Sequence, residues 1–148
     1  MIRAAVPADV PAILALVHEL AAYEREPSAV VATDSSLESA LFGPAPAAFC
    51  HVAEADGSVV GFAVWFLNFS TWLGRHGIYL EDLFVRPAYR GRGLGKALLT
   101  TLVDIANERG YGRVEWAVLD WNTPAQDFYR SLGAEPMDEW TVWRLTPR

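Results

Sequence analysis

The sequence predicts an α+β fold built on a mixed, strongly twisted sheet. Two helix-period segments, at Ile13–Ala21 and Leu94–Ile105, stand among short apolar runs of strand length. Turn signals separate those runs, Asp56-Gly57 the clearest of them. A strand, a glycine-rich turn and a helix follow one another directly between Ile78 and Ile105, the order of a crossover unit.

Taken in order, Ile2–Ala5 reads as a short first strand. Pro7-Ala8-Asp9 opens a helix, with an acid at its positive end, and Ile13, Leu14, Val17, Leu20 and Ala21 form its apolar face. Its period fades at Tyr23-Glu24-Arg25-Glu26-Pro27, which by itself reads as a solvated helix end. Thr33 to Ser36 caps a second helix, Leu37–Leu41, that stops at Gly43-Pro44. Phe49–Glu54 and Val59–Phe69 make a hairpin, and Gly61 marks a possible bulge. Thr71–Gly77 is a loop carrying Trp72. Ile78–Val85 is a strand holding two acids, Glu81 and Asp82, and Pro87 ends its ladder because it has no N–H. A helix from about Gly93 to Arg109 stops at Gly110. Arg113–Leu119 is the next strand. Asn122-Thr123-Pro124 begins a further helix, with Thr123 as cap, and Gly133 ends it. Trp140–Leu145 alternates as a last strand. No repeat, low-complexity segment or linker interrupts the 148 residues, which read as one domain over 1–148.

Composition excludes several classes. With 52% apolar and 20% charged residues the chain is globular. No apolar run reaches the ~20 residues that span a bilayer, and the first residues lack the regions of a secretion signal, so no membrane partner and a cytoplasmic location are expected. The single cysteine, Cys50, lies in an apolar stretch and reads as core. A net charge of −6 argues against nucleic acid. His18, His51 and His76 show no ligand spacing, so no metal is expected.

Against that acidic background Arg86, Arg90, Arg92 and Lys96 cluster around Arg90-Gly91-Arg92-Gly93-Leu94-Gly95-Lys96. Glycines let backbone N–H groups approach an anion, and the helix behind them adds partial positive charge. The segment reads as a pyrophosphate cradle, with a solvated basic turn as the bland alternative. It is no P-loop, because Ala97 follows Lys96, and its glycine spacing is not that of a dinucleotide fingerprint.

The spacing Arg90-x-x-Gly93-x-Gly95 after a strand resembles the acetyl-CoA signature of the GCN5-related N-acetyltransferase (GNAT) superfamily. Ser70-Thr71-Trp72, Ile78-Tyr79-Leu80-Glu81-Asp82, Tyr89-Arg90-Gly91 and Ala117-Val118-Leu119-Asp120-Trp121-Asn122 ending in Phe128-Tyr129 look like its diamine acetyltransferase branch, which holds the spermidine/spermine and thialysine enzymes. The likeness runs from about Ile2 to Leu145. It implies the GNAT fold, with six to seven strands and about four helices, acetyl-CoA as co-substrate, a small primary amine as acceptor and a homodimer. Glu81 would take the amine's proton through a water and Tyr129 would protonate the departing thiolate. Taken alone, the first reads as an exposed strand carboxylate and the second as a core aromatic. Leu83, Phe84 and Val85 would meet the pantetheine arm through their backbone, and Asn122 would hydrogen-bond it. Arg90, Gly91, Arg92, Gly93, Leu94, Gly95 and Lys96 would hold the pyrophosphate. Tyr23, Glu24, Trp72, Asp82, Glu115, Trp116 and Ala117 would line the amine site.

Regular alternation would place Asp82 on the strand face opposite Glu81, unless a bulge intervenes. Polyamine-specific members carry an aspartate where Ser70 stands, and their Glu-Glu-Gly-Trp run is here Asp138-Glu139-Trp140. The thialysine type fits better. Another acceptor, such as a drug amine or a protein N-terminus, and an acetyl-CoA-binding module without turnover are the alternatives.

Overall fold

The computed structural model describes residues 1–147. Its elements run β1 (Ile2–Ala4), α1 (Val10–Tyr23), α2 (Asp34–Phe42), β2 (Phe49–Ala55), β3 (Ser58–Ser70), β4 (Arg75–Val85), α3 (Leu94–Arg109), β5 (Val114–Trp116) and α4 (Thr123–Ser131). Single 3-10 turns at Pro7–Asp9 and Pro87–Tyr89 lead into α1 and the glycine loop. The strands lie in sequence order, antiparallel except for the parallel pair β4–β5 that α3 connects. The chain divides into two compact units, Met1–Ala117 and Val118–Arg148.

In the first unit, α1 and α2 pack against a cluster holding Ile13, Leu16, Leu20, Leu41, Cys50, Val52, Phe62 and Phe84. Leu16, rather than Leu14, centres the buried stripe of α1. Leu98, Leu99, Leu102 and Ala106 are the buried face of α3. Cys50 is core, as expected, and burial pushes its thiol up to about 12, with Asp9 adding to the shift. Asp9 accepts from both Arg3 guanidinium nitrogens, at 2.7 and 2.9 Å, and from the Val6 N–H. Arg3 in turn holds Glu54, so this buried carboxylate ties β1, the first turn and β2 together.

Four expectations need correction. The sheet has five strands among the described residues, not six to seven. Trp140–Leu145 is in none of them, and Trp140, Val142, Trp143 and Leu145 are all exposed. Alternation marks a strand only where a neighbour supplies the ladder. Arg113–Leu119 contracts to three strand residues, and the loop expected at Thr71–Gly77 contracts to a turn, because β4 already begins at Arg75. The irregularity expected at Gly61 falls beside it. Ala53 pairs Gly61 and Glu54 pairs Val59, leaving Val60 extra. Gly61 serves close approach instead, since a Cβ there would lie 3.0 Å from the Phe84 carbonyl oxygen.

One interior contact carries a pH dependence. The indole N–H of Trp65, a buried residue, donates to His51 Nδ1 at 3.1 Å. Indole nitrogen is donor-only, so His51 must be neutral with its proton on Nε2. Burial holds its pKa below the ordinary 6.5, and the Arg109 guanidinium adds to this. A depressed folded-state pKa means the unfolded chain takes the proton first, so the contribution is complete above pH 6.5 and lost as pH falls through the lower folded value. Leaving a buried N–H facing a second N–H costs about 1–3 kcal/mol. Urea denaturation at pH 7.5 and pH 5 should show wild type losing more stability than His51→Gln over that interval. Equal losses would refute it.

Candidate active site

Glu24, Glu81 and Asp82 gather around a defect in β4. Val64 of β3 pairs Asp82, and its neighbour Trp65 pairs Leu80, so Glu81 stands opposite no residue. This is a bulge, and it cancels the strict alternation that would separate Glu81 from Asp82. Glu81 is exposed and Asp82 half-buried. Burial pushes the Asp82 carboxyl up to about 6, and the charges of Glu81 and Glu24 push it further in the same direction. Glu24, which follows the last residue of α1, is also raised, by burial first and then by Glu81. Three carboxylates from two elements therefore share one electrostatic neighbourhood. Tyr79, one strand step before Leu80, is raised by burial, then by Glu81 and Glu115.

Beyond Leu80, β4 runs on without β5, whose ladder stops at the Leu80–Trp116 pair. Leu83, Phe84 and Val85 still pair with β3 on one side. Within the first unit their other backbone edge has no ladder partner, which is what an extended arm laid along the sheet requires. Val85 O is an exception, because it accepts from the Arg90 guanidinium Nε at 2.9 Å.

The loop after β4 fits an anion. Gly91 and Gly93 have φ of 80° and 79°, in the left-handed region that disfavours any side chain. A Cβ at either position would meet no protein atom within 4 Å, so these glycines leave open space above the backbone. Gly93 caps α3 without a side-chain acceptor. The N–H groups of the first turn, at Leu94, Gly95 and Lys96, have no intrahelical acceptor, and the helix end carries partial positive charge. Arg92 and Lys96 are exposed beside them.

Trp72, Glu115, Trp116 and Ala117 lie elsewhere in the first unit. Trp72 is 83% exposed on the turn that joins β3 to β4. Glu115 pairs with Tyr79 in the ladder and accepts from Asn68 Nδ2 at 3.4 Å, lining a shallow cleft with Ser70, Arg75, His76 and Arg113. Trp116 ends β5, and Ala117 ends the unit. Among the described residues no group of three or more His, Cys, Asp or Glu comes together to hold a metal, and no helix is long and apolar enough to cross a membrane.

The second unit carries Asn122 and Tyr129. Asn122 is buried, and its Oδ1 accepts from the Ala125 N–H at 3.3 Å. It is the cap of α4, a correction to the expectation of Thr123, which is the first helical residue. Tyr129 is half-buried on α4 and packs on Phe128, with ring centroids 5.3 Å apart. Sequence reasoning missed the side-chain direction of Arg90, whose guanidinium lies over the rings of Tyr23 and Phe84. Aromatics at the end of α1 and on β4 were visible signals, but nothing local joined them to the loop.

Comparison with known proteins identifies the family. The family model described as "Acetyltransferase (GNAT) family" matches residues 14–134. The chain is 40% identical to the thialysine N-epsilon-acetyltransferase of Bos taurus, over 97% of this chain and 88% of that one. It is 35% identical to an L-ornithine N5-acetyltransferase of Arabidopsis thaliana, over 98% of this chain and 83% of that one. An integron cassette protein from the mobile metagenome of V. cholerae superposes with a TM-score of 0.82 at 26% identity, covering 99% of this chain and 92% of its own.

Proposed function

We propose that this chain, which belongs to the GNAT acetyltransferase family and is an N-acetyltransferase, moves the acetyl group of acetyl-CoA onto the terminal primary amine of a small molecule of thialysine or lysine length. The observation that carries the reading is the carboxylate group Glu24, Glu81 and Asp82 at a bulge whose strand leads directly into the anion-fitting loop. Relatives named for thialysine and for ornithine support an amino-acid side-chain amine, and Ser70, where polyamine-specific members carry an aspartate, favours it over a polyamine.

The chemistry follows from proton accounting. An alkylammonium has a pKa near 10.4, so at neutral pH only about one molecule in a few thousand is nucleophilic. The carboxylates attract the cation. Glu81, exposed at the bulge, accepts its proton through a water. The amine nitrogen then forms its bond to the thioester carbon, and the C–S bond breaks. Backbone N–H groups near Leu83 polarise the carbonyl oxygen while charge sits on it. Tyr129 gives its phenolic proton to the departing thiolate, and the second proton lost by the acylated nitrogen returns the phenolate to its neutral form. A phenol, with an ordinary pKa near 10, stays protonated until that moment. The glycine loop and α3 hold the pyrophosphate.

Free-thiol release from acetyl-CoA should exceed a no-amine blank with thialysine, and should fall across lysine, short diamines and spermine. Peptide N-termini and aminoglycosides should give the blank rate. Activity confined to those last two classes would replace the acceptor, and thiol release with no amine at all would end the reading. In the same assay Tyr129→Phe should lower turnover at least ~10-fold with CoA affinity nearly unchanged. Equal turnover would remove Tyr129 from the mechanism.

A further inference from the structure

The three cations of the glycine loop have different surroundings. Arg92 lies over the Tyr89 ring, 4.9 Å from its centroid, and its guanidinium is 3.8 Å from Asp56, with 54% of the side chain exposed. Lys96 stands exposed on the first turn of α3. Arg90 is exposed as well, but its head group bends back along its own unit. Its Nε donates to Val85 O at 2.9 Å. Its guanidinium carbon is 5.3 Å from the Tyr23 ring centroid and 5.4 Å from that of Phe84. Phe84 is buried in the core and Tyr23 is the last residue of α1. A planar guanidinium can meet both rings while its Nε donates to Val85 O, a combination that a compact ammonium matches poorly.

We propose that Arg90 is a positioning residue and not a phosphate ligand. It is a strut through which the end of α1 sets the place of the anion loop, leaving Arg92 and Lys96 as the charges that meet the pyrophosphate. The proposal rests on the acetyl-CoA reading above. Its consequence is that Tyr23, a residue of the amine side, governs affinity for the cofactor.

Calorimetric titration of CoA into the purified full chain tests this. Tyr23→Leu removes the ring under the guanidinium and should weaken CoA about threefold or more. Tyr23→Phe, which keeps the ring, should recover most of that loss. Arg90→Met should weaken CoA similarly, and the double variant Tyr23→Leu/Arg90→Met should be no weaker than Arg90→Met alone, because both cut one link. Repeating the titrations over a salt series separates position from charge. Affinity in Arg90→Met should keep the wild-type salt slope, whereas Arg92→Met and Lys96→Met should each flatten it. Wild-type affinity in Tyr23→Leu, additive losses in the double variant, or a flattened slope in Arg90→Met would each overturn the proposal. Failure of the wild-type chain to bind CoA is a different result, since it removes the acetyl-CoA reading itself.

Discussion

Glu81→Gln should lower kcat/KM for the amine by about 10²–10³-fold at pH 7.5, within the range general-base catalysis supplies. Glutamine keeps the shape of the side chain and removes its capacity to take a proton. The substitution should leave the fold intact, because Glu81 is exposed and lies at a ladder irregularity opposite no residue. The discriminating measurement is the pH profile from 7 to 10. Wild type should change little across this range, because the carboxylate takes the proton from the bound amine. The variant should depend on amine that has lost its proton in solution, so its rate should climb tenfold per pH unit toward the amine's own pKa near 10.4 and close much of the gap. A variant within twofold of wild type at pH 7.5 would show that Glu81 is no base.

How far such a site can be read in advance depends on whether its determinants are local. The anion loop was legible because φ-positive glycines and a helix start are local requirements, and Gly91, Gly93 and the α3 cap satisfy them in place. The acid pair Glu81-Asp82 was legible as chemistry but not as geometry. Which residue of the pair is extra depends on where Trp65 of β3 pairs, and that register is set across the sheet. Arg90 shows the same limit. A cation in a glycine loop points toward an anion by default, and contacts with nearby Phe84 and with Tyr23, which is distant in sequence, bend it back along its own unit. At the end of α4's approach, Asn122 and Thr123 are both good cap residues, and the backbone at Asn122, with φ −83° and ψ 70°, is what leaves the helix to start one residue later. Trp140–Leu145 has strand alternation in the absence of a strand, because a ladder is a property of two segments.

Asp82→Asn should make the protein more stable and less active, a pairing that separates a functional carboxylate from a structural one. Asp82 sits half-buried beside Glu81 and Glu24, and its carboxyl is raised to about 6 from an ordinary 3.8. A raised acid pKa means the folded chain holds the proton longer than the unfolded one. The penalty of the charged form is absent below pH 3.8, grows as pH rises, and is complete above about 6. Asparagine removes that penalty, so the gain in stability should be small at pH 4 and approach about 3 kcal/mol at pH 7.5, several degrees in Tm. This runs opposite in sign to the His51 effect, so each is measured against its own variant and not from the wild-type profile alone. The same substitution takes away one carboxylate facing the incoming cation. Losing a desolvated charge partner costs about 2 kcal/mol or more, which at ~1.4 kcal/mol per decade is roughly 30-fold in kcat/KM for thialysine. On the proposed reading, an incoming ammonium would relieve the charge repulsion among Glu24, Glu81 and Asp82. A variant that lost stability at pH 7.5, or gained it with activity intact, would show that these carboxylates are not held together to receive a cation.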